Sequence, residues 1–406
     1  MKASGKEFLP ETFPNLVESL RLFIAKGMKI TLVFGGGEQI DREWKKKHAE
    51  PRPKIDGIGV TNEALLNDAV LPAFEDIRQQ LHSALPELTI LGSKNLGCKM
   101  DENRGLVGIP ERLDAVISLT DTAIGFVGNV EGHQVNVNAD DATQFLVDKF
   151  GDHFNEIIML TDLGGVVDMQ RGGRLVPLIL SGGINEDGSH KSLDVTGGMR
   201  KKLLSVRGIL PHTGKVAITN SANLPKEVED WRGGGTLCVQ EDQMKCSSMR
   251  DEEREIFLSV FEEFAGQGYF RERTGQELDK VIDHHRILRI MNSPLGGFSL
   301  VPREGDWAEL EVLWSGYMGN GVGDHLIQNA IRLFGEMDCS KMFLLSTLTK
   351  NDDENQHALI RKKFLNSGFI LSGRISDLLK ADSDIPIECA SYDTSERDPY
   401  LFTYKD

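Results

Sequence analysis

The strongest constraint on the fold is a pair of glycine-rich turns, each placed where a strand pattern gives out. Ile30 to Phe34 is a short apolar, partly β-branched run that ends in Gly35-Gly36-Gly37, and a helical pattern (Leu16, Leu20, Leu22, Phe23) precedes it. Helix, strand and glycine turn in that order predict an α/β unit with a ligand at the carboxyl end of the strand. The second turn, Met318-Gly319-Asn320-Gly321-Val322-Gly323, lies between a strand pattern and a helix pattern. Glycines let the backbone approach a ligand closely. The following helix aims free N–H groups and a positive dipole end at the same spot, which suits a pyrophosphate. A tight turn has the same composition, so the triplet needs its context.

A chain of 406 residues exceeds one compact core, so two or three domains are expected. The net charge of −16 argues against a general nucleic-acid binder, which needs a basic surface. Local Lys, Arg and backbone N–H groups can still hold anions in an acidic protein. Cys98, Cys238, Cys246, Cys339 and Cys389 form no CxxC pair and no zinc spacing with His. Scattered thiols predict a reduced, cytoplasmic protein. No apolar run reaches membrane-spanning length, and Met1 to Phe13 lacks a signal-peptide core.

Strand and helix patterns alternate to about Val239. Strands are expected at 115–119, 123–127 and 157–160, helices at 66–81 and 143–150, and a mobile loop at 182–191. Residues 241–254 are polar with no apolar period and predict a linker. That divides the chain into domains 1–240 and 255–406. In the second, helices are expected at 255–264, 275–282 and 324–334. Strands are expected at 286–290, 295–301, 308–314 and 342–346.

The strand Ala308 to Trp314 followed by the 318–323 loop resembles the GNAT acetyltransferases. More widely, Phe264 to Arg273, Glu277 to Ile282, Lys341 to Thr347, Phe364 to Phe369 and the tail Tyr392 to Arg397 resemble the acetyltransferase half of bacterial-type N-acetylglutamate synthases. The resemblance implies acetyl-CoA as cofactor. Val312, Leu313 and Trp314 would pair with its pantetheine arm, and Met318, Gly319, Asn320, Gly321, Val322 and Gly323 would hold its pyrophosphate. Glu309, ahead of Glu311, would take the amine's proton through water. Arg271 and Arg273 would hold substrate carboxylates as bidentate forks, with Tyr392 and Ser346 as secondary candidates for the acid. The family's Arg or Gln at the start of the loop is Met318 here, and Leu348 to Ala358 looks like an insertion. Adjacent His284 and His285 do not face one another and are not read as metal ligands.

The first 240 residues resemble the amino acid kinase family. The motifs are Lys2 to Gly5, Val33 to Ile40, Asn136 to Asp140, Leu160 to Asp168, Thr196 to Lys202 and Gly233 to Thr236. Phosphoryl transfer to a carboxylate gathers negative charge, which lysines and glycine N–H groups must neutralise. The resemblance assigns that task to Lys2 and Lys202. It places the acceptor on Gly36 and Gly37, and gives Asp140 the orientation of the lysines. Asn136 would touch the acyl amino acid and Asp162 would lie near the nucleotide. Gly59 occupies the position before Val60-Thr61 where the family carries an Arg for the substrate carboxylate. The first strand is nearly absent, and a native start upstream of Met1 is expected. Glu227, Gly233, Gly235 and Thr236 match the arginine site of arginine-sensitive members.

These lines converge on an amino acid kinase-like α/β/α sandwich followed by an α+β GNAT domain. The expected activity is acetyl transfer from acetyl-CoA to the amino group of L-glutamate. The alternatives are acetylglutamate kinase or bifunctional synthase–kinase activity with ATP and Mg2+ on N-acetylglutamate, and a non-catalytic arginine sensor. The resemblance also implies a homo-oligomer, and the acidic charge and the lack of a spanning apolar run imply no nucleic-acid or membrane partner.

Overall fold

The computed structural model describes residues 1–55, 58–114, 119–195, 197–267, 270, 273–317, 320–346, 361–374 and 400–405. They form two compact units, Met1–Glu241 and Asp242–Asp406.

Unit one is built on an eight-stranded sheet. Its order is Leu178–Leu180, Thr236–Val239, Lys215–Thr219, Ile157–Leu160, Lys2–Ala3, Thr31–Phe34, Thr122–Ile124 and Thr89–Leu91. All neighbours run parallel except Lys215–Thr219 with Thr236–Val239. Such a sheet must be covered on both faces, and its residues divide accordingly. Leu32, Phe34, Ile158, Leu160 and Ala217 join the core beneath helices Phe13–Ala25, Gly37–Lys47 and Leu71–Ala84. Their neighbours Ile157, Met159, Val216 and Ile218 face helix Gly197–Thr213, and Val33 faces helix Ala139–Phe150. This is the expected α/β/α sandwich. A closed four-stranded barrel of Leu96–Met100, Val107–Leu113, Val127–Val130 and His133–Val137 stands beside it.

The two-residue Lys2–Ala3 strand lies mid-sheet, pairing with Met159 on one side and Val33 and Phe34 on the other. Two residues are enough there because flanking strands supply its ladder. The run expected as one strand over 123–127 is split, ending at Ile124 in the sheet and restarting at Val127 in the barrel. Residues 115–118 of the other expected strand lie outside the described residues. The expected mobile loop over 182–191 is a hydrogen-bonded hairpin: Ile184 bridges His190, and Asn185 N–H donates to Ser189 O at 2.8 Å.

Unit two carries a seven-stranded sheet in the order Lys245–Ser248, His285–Ile290, Ser293–Arg303, Trp307–Ser315, Lys341–Ser346, Tyr400–Lys405 and Ile370–Arg374. The segment expected as a linker therefore contains an edge strand, antiparallel to His285–Ile290. A strand exposed along one side needs no apolar period, which is why the sequence concealed it. Helices Arg254–Gly266, Gly275–Asp283 and Val322–Phe334 accompany the sheet. The last begins two residues before the expected Asp324. Among the described residues of both units, no helix is long and apolar enough to cross a membrane.

Candidate functional sites

In unit one, three adjacent parallel strands end side by side. Ala3 runs into Ser4-Gly5-Lys6, Phe34 into Gly35-Gly36-Gly37, and Leu160 into Thr161-Asp162. These turns line one cavity of about 760 Å³. Three helices, Gly37–Lys47, Ala139–Phe150 and Gly197–Thr213, present their first residues to it. Helix starts leave N–H donors without intrahelical partners and carry the positive dipole end, so their convergence favours an anion. Gly36 has no room for a side chain: a Cβ there would lie 2.1 Å from the Phe126 ring.

The charges at this cavity are predominantly positive. Lys2 pairs with Asp140 at 2.7 Å, and Lys6 with Asp162 at 2.7 Å. Burial, then the neighbouring charge of Lys2, depress the Lys202 ammonium to about 8. Burial also works against ionised Asp140, but Lys2, Lys202 and Lys201 together hold its carboxyl below the usual range. The bond from Lys6 is the main cause of the lowered Asp162 carboxyl. Of the expected kinase-like residues, Lys2, Gly36, Gly37, Asn136, Asp140, Asp162 and Lys202 all line the one cavity.

Three cations outside the quoted motifs join them: Lys6, Arg52 and Arg104. Arg52 pairs with Asp41 at 2.6 Å, and its guanidinium comes within 3.8 Å of where a Cβ on Gly37 would stand. Arg104 pairs with Asp101 and Asp141. Its carbonyl accepts from Thr61 N–H at 3.1 Å, and Asn136 Nδ2 donates to Thr61 Oγ1 at 3.0 Å. The cavity thus has guanidinium groups although Gly59 supplies none. Neither arginine belongs to a recognisable motif, so only tertiary proximity reveals them.

Glu227, Gly233, Gly235 and Thr236 also come together. Glu227 accepts from Gly234 N–H at 2.8 Å, and burial raises its carboxyl. Thr236 Oγ1 donates to Val176 O at 2.6 Å and accepts from Val166 N–H at 2.8 Å. The buried Thr236 hydroxyl is therefore committed within the fold.

In unit two, Trp307–Ser315 and Lys341–Ser346 are parallel neighbours that pair only at Trp307–Lys341, Ala308–Met342 and Glu309–Phe343. Beyond Glu309 no further pair joins them among the described residues. Opposite, the register against Ser293–Arg303 shifts between Gly297 and Ser299, and Val312 has φ 50°. A bulge of this kind re-aims backbone groups. Val312, Leu313 and Trp314 have no pair on the Lys341–Ser346 side among the described residues, although Trp314 pairs with Gly297 on the other side, and the strand leads toward the glycine loop. Gly321, with φ 90°, precedes helix Val322–Phe334, and Val322 and Gly323 form its first turn. Asn320 is described; Met318 and Gly319 lie outside the described residues, as do Arg271, Tyr392 and residues 348–358.

Glu309 is 1% exposed, not the solvent-facing carboxylate that strand alternation allows. Arg303 donates to its Oε2 from Nε at 2.9 Å and from Nη2 at 2.6 Å. Arg273 Nη2 donates to Glu311 Oε2 at 2.5 Å. His285 is spent on structure: Trp314 Nε1–H donates to its Nε2 at 3.0 Å, and its Nδ1 meets Ser299 Oγ at 2.8 Å. Because indole can only donate, Nδ1 carries the imidazole proton. Burial depresses this imidazole to about 3.

Fold and site together define a kinase-type α/β unit followed by a unit built on a mixed seven-stranded sheet. The amino acid kinase family model matches residues 2–220, and the chain belongs to that family. It is 26% identical over 266 residues to an acetylglutamate kinase of Xanthomonas campestris, covering 61% of this chain and 60% of the relative's length. It is 26% identical over 240 residues to an acetylglutamate kinase of Shewanella amazonensis, covering 55% of this chain and 85% of that one. Among solved structures, N-acetylglutamate synthase of Neisseria gonorrhoeae complexed with coenzyme A and L-arginine superposes with a TM-score of 0.64 at 16% identity. The match covers 100% of this chain and 94% of that one. The same fold in both halves is thereby shown.

Proposed function

We propose that the chain is an amino-acid N-acetyltransferase moving acetyl from acetyl-CoA to the amino group of L-glutamate. The observation that carries this reading is the parting of Trp307–Ser315 from Lys341–Ser346 after three pairs, beside a bulge at Val312. Freed backbone groups of Val312 and Leu313 match an extended amide-bearing arm. Asn320, Gly321, Val322 and Gly323, with Met318 and Gly319, then take the pyrophosphate on backbone N–H groups. The bound coenzyme supplies an activated thioester. Glu309 receives the amine's proton through water, and Arg273, with Arg271, holds the acceptor's carboxylate. The solved synthase is described with coenzyme A and L-arginine, and a second structure of it with coenzyme A and N-acetyl-glutamate, which supports this choice of ligands. The kinase-like unit then serves as a sensor and assembly module. L-arginine is its effector at Glu227, Gly233, Gly235 and Thr236, with the Glu227 carboxylate as the cation's partner, and homo-oligomers form in the cytoplasm.

A second reading is favoured by the cavity of unit one. Lys2 and Lys202 together with three helix starts form a cradle suited to phosphoryl transfer from ATP with Mg2+ to N-acetylglutamate. Arg52 and Arg104 then face the acceptor's carboxylates. Two assays separate the readings: CoA release across a panel of amino acids, and ADP release with N-acetylglutamate. CoA release greatest with L-glutamate supports the first, whereas ADP release alone overturns it. L-arginine titration by calorimetry is expected to give heat that Glu227→Gln abolishes; silence from the unsubstituted protein removes the arginine site.

A further inference from the structure

Beside the parted strands, four buried or half-buried charges form a line that no motif announces. Glu309 takes two bonds from Arg303, and Arg303 Nη2 also reaches Glu311 Oε1 at 3.4 Å. The far oxygen of Glu311 accepts from Arg273 Nη2. The order is therefore Glu309, Arg303, Glu311, Arg273, with side-chain exposures of 1%, 18%, 3% and 7%. Lys341 approaches from the opposite neighbouring strand with its ammonium over the Trp307 ring, and the residues paired with Glu309 are Val301 and Phe343. At the end of the line, Arg273 Nε is buried with no hydrogen-bond partner among the described residues. A guanidinium that has left water with a donor unmet points to a ligand with acceptor oxygens.

We propose that this line is a relay through which a carboxylate of the acceptor, on binding Arg273, frees Glu309 to receive the proton of the acceptor's amine. This rests on the acetyl-transfer reading above. A ligand carboxylate on Arg273 competes with Glu311 for the same guanidinium. Glu311 then turns to its other donor, Arg303 Nη2, and closes the 3.4 Å contact. Arg303 is shared, and its grip on Glu309 Oε2 loosens. The proton leaves the amine nitrogen and arrives through one water on a Glu309 oxygen; no other bond changes in that step. Arg303 and Glu311 act here as positioning residues. Chemistry is thereby tied to an acceptor that carries a carboxylate, which excludes simple amines at the catalytic step and not only at binding.

The test compares L-glutamate with n-butylamine, an acceptor with no carboxylate, using the full chain. The unsubstituted protein is expected to prefer L-glutamate by at least a hundredfold in kcat, in addition to any difference in KM. Glu311→Gln, a neutral isostere, is expected to shrink the kcat preference at least tenfold. Arg303→Lys, which keeps the charge but loses the fork, is expected to lower kcat for both acceptors alike with little change in KM. Calorimetric CoA binding confirms that each variant is folded, and if Arg303→Lys fails that check, Glu311→Gln decides alone. The relay is overturned if n-butylamine suffers only in KM, or if Glu311→Gln leaves the kcat ratio unchanged. Absence of turnover with every amino acid overturns the acetyl-transfer reading itself, a different failure.

Discussion

Lys202 shows how a single side chain reports on the unit-one cavity. Its ammonium is depressed to about 8 by burial first and then by Lys2. It is charged below that pH and neutral above it. Affinity for a polyphosphate such as ATP is therefore expected to fall as pH rises through about 8, and titration of ATP binding from pH 7 to 9.5 checks it. A flat profile would show that Lys202 does not face the anion. Gly36 tests the packing that shapes the same cavity. A Cβ at this position collides with Phe126, and overpacking of this sort costs about 1–3 kcal/mol. Gly36→Ala is expected to lower the denaturation midpoint by a corresponding amount. At this level the motif residues of the cavity were legible, because glycines and lysines in turn contexts have few other uses. Arg52 and Arg104 were not, because nothing local distinguishes a cavity arginine from a surface one.

Strands and helices were more legible than their boundaries. The runs Ile30 to Phe34 and Ile157 to Leu160 appear in the sheet as expected, since both of its faces are covered and the runs are almost wholly apolar; the run over 123–127 is divided between sheet and barrel. The Lys245–Ser248 strand was hidden because an edge position leaves its polar side chains in water. The bulge at Val312 was hidden because a register shift arises from strand pairing, not composition. Two hydrogen bonds of one side chain, His285, tie three strands of unit two together, one with Trp314 and one with Ser299. Its imidazole is depressed by burial to about 3. The unfolded chain takes up a proton near pH 6.5 that the folded chain refuses, so stability falls as pH drops below about 6.5. The slope contributed by this residue approaches about 1.4 kcal/mol per pH unit. Denaturant titrations between pH 4 and 7 should show that slope and its loss in His285→Gln. An unchanged slope in the variant would mean that His285 is already protonated in the fold.

For the molecule as a whole, two folds share one chain, and their candidate sites differ in how much of each the sequence announced. The residues that the motifs proposed for unit one all line its cavity, which carries more positive charge than the motifs supplied. The unit-two site was announced by its glycine loop, but its most specific feature, the parting of two parallel strands, appears only in the pairing pattern. Placing the principal chemistry there makes Gly321 decisive. It has φ 90° at the helix start, where a carboxylate would be both strained and repelled by a pyrophosphate. The most direct test is CoA release from acetyl-CoA with L-glutamate, measured side by side for the unsubstituted chain and Gly321→Asp. Acetyl transfer at this loop predicts steady CoA release that falls at least a hundredfold in the variant. Equal rates in the two proteins, or no release from either, would contradict it.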